Sequence, residues 1–210
     1  MNFKIMHMTK LFAIGLITSW DSWSSLSYAD DAAFKAMMGS SFQPIGIATL
    51  ERLKQDETQL ACSNFKKDQL QLTDSLKSRI EKNNLQTVIL PADQQYFGDW
   101  KEGEKIAQSG KGSTWSDKID DVNGGSCYNC HQIDKKEISF GNIGPSLYNY
   151  GKLRGNSPAV VQYTWSKLYN AKAFNACSNM PRFGTFHLLT DNQLRDLMSL
   201  LFDPLSPVNQ

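Results

Sequence analysis

The chain has 210 residues, with 22 basic against 21 acidic side chains, 4 cysteines and 3 histidines. No basic tract carries the interleaved aromatics that nucleic acid binding calls for, which sets that partner class aside. No segment reaches the roughly 20 consecutive apolar residues of a spanning helix, so a permanent membrane anchor is not expected.

Lys4 and Lys10 precede the apolar run from Leu11 to Trp20, and Ser27-Tyr28-Ala29 puts small residues at the third and first places before a cut. Residues 1–29 read as a secretory signal peptide, interrupted by Asp21. Its removal takes two lysines and one aspartate, leaving a formally neutral mature chain. About 180 residues remain, enough for one domain or one domain with an appendage.

Residues 30–97 form the first region of the mature chain. Leu50, Leu53 and Leu60 in one segment, and Leu76 and Ile80 in the next, predict two modestly amphipathic helices. Their apolar stripes are thin, so this extension is expected to pack against the following domain or a partner subunit.

From Gly98 the helix signals sharpen. Asp99 followed by Glu102 predicts a capping box opening a helix through Ala107, with Gly103 letting another backbone come close. Residues 111–125 are loop-like, rich in Gly, Ser and Asp.

Cys127-Tyr128-Asn129-Cys130-His131 then has the spacing of covalent c-type haem attachment. On a helix, positions i, i+3 and i+4 share a face, so both sulfurs can bond the porphyrin vinyls while the imidazole reaches the iron. Zinc would need four Cys or His ligands, and beyond this triplet only Cys62, Cys177 and His187 remain in the mature chain, with no second pair. A thioredoxin-like pair would open a helix after an apolar strand, whereas Gly124-Gly125-Ser126 and a run of charge precede Cys127. One covalent haem c is the expected cofactor, and with it a periplasmic location. A carbonyl of the Gly144-Pro145 turn, that of Pro145 included, is the candidate to accept from the other ring nitrogen of His131 and fix its orientation.

Ser157-Pro158 opens a further helix, with Val161, Trp165 and Leu168 as its buried stripe. Thr190 and Gln193 cap the last one, which carries Leu194, Leu197, Met198 and Leu201 and stops before Pro204. Strands are nearly absent. The fold class is all-α, a helical domain of about 105 residues around one haem.

The second axial ligand is expected from Met180, which lies between Asn179 and Pro181 in an irregular stretch ending at Gly184. Met198 falls on the apolar stripe of the last helix, and His187 is the competing ligand. A thioether favours Fe(II), raises the potential and fills the sixth position, which points to electron transfer rather than substrate activation. The remaining cysteines, Cys62 and Cys177, suggest a disulfide in an oxidising compartment. A reactive thiolate at Cys177, near Lys172 and Arg182, is the alternative.

Residues 98–104, 124–131, 140–148 and 179–184, with the ending Leu201-Phe202-Asp203-Pro204 and Ser206-Pro207-Val208-Asn209, resemble the SoxX family. That family is the monohaem cytochrome subunit of the thiosulfate-oxidising SoxAX complex. The resemblance implies a class I-like cytochrome c domain over 98–210 with an N-terminal helical extension, Cys127 and Cys130 holding the haem, and His131 and Met180 as axial ligands. It implies a SoxA-like cytochrome subunit that carries the reactive cysteine of the L-cysteine S-thiosulfotransferase. It further implies a SoxYZ-like carrier protein reached through the complex, and a small cytochrome c as electron acceptor. This chain would relay single electrons and hold no catalytic residue of its own. A free-standing monohaem shuttle is the other reading.

Overall fold

The computed structural model describes residues 31–68 and 72–210. The proposed signal peptide lies outside the described residues. The chain divides into two compact units, one ending at Gln43 and one spanning Pro44–Gln210. Within the first, helix α1 covers Asp31–Ser41.

The second unit is built from α2 (Glu57–Asp68), α3 (Asp74–Leu85), α4 (Trp100–Gln108), α5 (Tyr150–Arg154), α6 (Pro158–Tyr169) and α7 (Asp191–Phe202). Short 3-10 turns lie at Leu50–Leu53, Cys127–Asn129, Ala171–Ala173 and Pro207–Asn209. Among the described residues, the isolated bridge between Ile45 and Ala48 stands in for β-structure. The all-α expectation holds at that level. The boundary drawn at 97/98 on composition falls inside this unit, where the Gly98 N–H donates to the Arg195 carbonyl and to Ser199 Oγ.

Helices α4, α6 and α7 supply most of the core. Helix α4 buries Gly103, Ile106 and Ala107, one face at helical spacing. Helix α7 meets that face with Leu194, Leu197, Met198 and Leu201. A Cβ at Gly103 would overlap the backbone at Asp196 and Leu197, so the glycine permits a backbone-to-backbone crossing. Trp165 of α6 is 1% exposed and donates its indole N–H to the Ile89 carbonyl at 2.9 Å. Tyr96 meets the Trp165 ring edge-on.

The capping signals are realised differently at the two expected boxes. At α7 both halves form: Thr190 accepts from the Gln193 N–H, and Gln193 reaches back to the Thr190 N–H. At α4, Asp99 caps by accepting from the Lys101 N–H, while Glu102 pairs with Lys105 one turn on instead of closing a box. An acid one turn before a lysine has a closer partner than the cap backbone.

The first predicted helix of the extension is also corrected. Leu50 and Leu53 lie on a 3-10 turn, Leu60 lies on α2, and all three are exposed. Asp56 starts α2 in a reciprocal cap, its carboxylate accepting from the Gln59 N–H while the Gln59 side chain accepts from the Asp56 N–H. Helix α3 begins at Thr73, which accepts from the Leu76 N–H, and buries Ile80 and Asn84. Leu72 and Ile80 form a small second core with Ala176.

Candidate functional site

The Cys127–His131 stretch is one tight turn rather than the α-helix its spacing suggests. Ser126 enters it with φ 51°, the 3-10 turn covers Cys127–Asn129, and the His131 N–H closes onto the Cys127 carbonyl at 2.9 Å. That i to i+4 bond gives one helical turn's worth of side-chain geometry, enough to set two sulfurs and an imidazole on neighbouring faces. The turn is tied to the end of α4, because Gly125 donates to Ile106 and Ser126 donates to Ser109.

Both thiols are free and half-buried. Burial, with the neighbouring Cys130 sulfur adding to it, pushes the Cys127 thiol up to about 12. A redox-active pair requires the opposite shift. Tyr128, buried between them in sequence, is likewise pushed up to about 12 by burial.

His131 is oriented from below. Its Nδ1 lies 2.7 Å from the Pro145 carbonyl, which can only accept, so the proton of the neutral ring sits on Nδ1 and the lone pair on Nε2. Gly144 packs flush on the ring: a Cβ there would overlap the imidazole itself. The loop is held in register by Gly141 donating to Tyr128, Gly144 to Cys130 and Leu147 to Gln132. The Gly144 contact is a feature that sequence reading left out, although the Gly-Pro pair pointed to the turn.

Met180 is half-buried and packs, with Cys127, against the main core that includes Ile106, Tyr128, Ile133 and Phe183. A cavity of about 340 Å³ opens beside it, walled by the Cys62–Cys177 bridge, Arg182, Phe186 and Leu188. Of the competing residues, Met198 is wholly buried in the α7 core, and His187 is exposed on a loop with φ 51°. Cys62 and Cys177 are joined as a disulfide with their Cα atoms 5.5 Å apart. Cys177 therefore has no thiolate to offer, which removes the reactive-thiolate alternative. Among the described residues, no three His, Cys, Asp or Glu side chains gather as a metal-holding group.

The Met180 loop has further contacts that sequence reading missed. Arg182, 5% exposed, pairs with Asp56 and lies over the Phe186 ring. Asn84 is 4% exposed and takes part in bonds with Thr58, Asn170 and Arg182. The one available signal was the Asp56 to Gln59 spacing, which marks a cap but not the arginine it meets.

The chain is 36% identical over 157 residues to an uncharacterized lipoprotein of Aquifex aeolicus (strain VF5), a match covering 74% of this chain and 73% of the relative. The chain belongs to that protein's family. No family model matches it. No helix among the described residues is long and apolar enough to cross a membrane.

Proposed function

We propose that the mature protein is a periplasmic monohaem c-type cytochrome, the SoxX-like electron-transfer subunit of a thiosulfate-oxidising SoxAX-type complex. The observation that carries this is the His131 pocket. Two free thiols share one turn with an imidazole whose Nδ1 is engaged and whose ring lies on a residue that has no Cβ. That donor set fits a haem c better than zinc or a redox dithiol. Cys127 and Cys130 would hold the group through thioethers, and His131 and Met180 would be its axial ligands. When bound, such a group supplies a one-electron couple that soft thioether ligation raises in potential.

The chain's own residues do the rest. The Pro145 carbonyl fixes the imidazole's tautomer and adds to its basicity as a donor. Ile106, Tyr128 and Ile133 keep that side of the site apolar and dry, which also governs potential. Ile119, Val122, Ile138 and Ile143 stand exposed on the loops flanking the Cys127 turn. The fold supports a class I-like cytochrome c domain, and the lipoprotein relative supports an envelope location.

The test is production alongside a haem-attachment apparatus. The expected product is coloured, keeps its tetrapyrrole through denaturation, and shows a low-spin spectrum that Met180→Ala converts. It is also expected to co-purify with a SoxA-like cytochrome. A colourless product of unmodified mass would overturn the reading, and a coloured monomer without affinity for any such subunit would favour a free shuttle.

A further inference from the structure

Residues of the extension tie down the Met180 loop at three separate points. Before the methionine, the Ala176 N–H donates to Glu81 of α3 at 3.1 Å, and Cys177 is bonded to Cys62 of α2. After it, Arg182 pairs with Asp56 at the head of α2 and reaches Asn84 of α3. Asn84 is locked in turn by Asn170, whose amide donates to its side chain at 3.0 Å and to Thr87 at 2.9 Å. Nearer in the chain, the Met180 N–H donates to Ser178 Oγ within the loop, and Gly184 donates to the Tyr169 carbonyl at the end of α6.

We infer that Asp56, α2 and α3 form a clamp on the methionine loop, whose task is to keep the Met180 thioether in place as an axial ligand. This inference rests on the haem reading above and gives the extension a role within this chain. A single long-range tie would suffice to dock two helices. Ties at positions −4, −3 and +2 from one methionine instead restrict the backbone on both sides of it, which is how a loop residue acquires a fixed position. Met180 lines a cavity as well as packing on the core, so packing alone does not enclose its side chain. Asp56, Glu81 and Asn84 are accordingly positioning residues.

Two variants test the clamp. Asp56→Asn keeps the α2 cap, since asparagine accepts at an N-cap as well as aspartate, but removes the charge facing Arg182. Cys62→Ser/Cys177→Ser removes the covalent tie. The readouts on ferric and ferrous holoprotein are the methionine-to-iron charge-transfer band and the rate of carbon monoxide binding, with far-UV circular dichroism as the fold control. Asp56→Asn should bind carbon monoxide roughly tenfold faster, the scale set by losing a charge-assisted contact, with helicity unchanged. The serine pair should weaken the band as well. Unchanged band and unchanged carbon monoxide rate in both folded variants would overturn the clamp, even if their melting temperatures fall. Absence of the band from the unmodified holoprotein would instead overturn the Met180 assignment, and the clamp with it.

Discussion

His131 and Met180 are secured by contacts of opposite range. Everything that orients the histidine lies within a few residues to a dozen or so of it: the turn from Cys127, the carbonyl of Pro145 and the bare backbone of Gly144. The methionine loop, besides its bond to Tyr169 of α6, is held by ties that come from far off in sequence, the disulfide partners being separated by 115 positions. The near site forms as soon as its loop does. The far one exists only once α2 and α3 have docked, so it is the half that unfolding, reduction and mutation reach first.

Removing the far tie should have the largest effect. By the loop-entropy relation, Cys62→Ser/Cys177→Ser is expected to lower stability by about 5 kcal/mol, measured as a shift in the urea midpoint of the holoprotein. The His131 half should keep its haem thioethers throughout. If haem attachment fails in that variant, the two halves are not separable as described.

Gly144→Ala strikes the near half. With no space for a Cβ against the imidazole, the loop or ring must shift, at about 2–3 kcal/mol. The yield of haem-loaded protein should fall, with the remaining holoprotein losing low-spin character. An alanine accepted at full yield would show that Gly144 serves the turn alone.

Thr190→Ala probes neither half and so calibrates both. Losing the α7 capping box should cost about 1 kcal/mol in thermal or urea unfolding, with the visible spectrum unchanged.

The smallest expected effect is at Asp93. The Gln95 N–H, then the Arg195 side chain, hold its carboxyl below its ordinary 3.8. A carboxylate lowered on folding adds stability above its unfolded value and gives it up as pH falls through the folded one. Asp93→Asn should therefore leave stability unchanged at acid pH and lower it slightly at neutral pH. Because Asp93 is exposed and solvent-screened, the two pH curves should diverge only modestly above pH 4.

What was legible in the sequence is what depends on neighbours along the chain. Thr190 and Gln193 marked a helix start because a capping box is complete within four residues. Val161, Trp165 and Leu168 marked a buried face because helical period is a local property. The Cys127–His131 spacing and the Gly144-Pro145 turn marked the near site for the same reason. The same local reading erred where two local partners competed, as at Glu102, which took Lys105 over the cap. It erred also at Leu50 and Leu53, where a thin stripe could not decide between a helix and a turn. The docking of α3 on the loop after α6 and the pairing of Asp56 with Arg182 had no sequence signature, and Gly103 signalled a close backbone approach without naming α7 as its partner. Each joins segments whose separation is set by how helices pack, and a charge or an amide shows nothing in sequence of the partner that packing will bring to it.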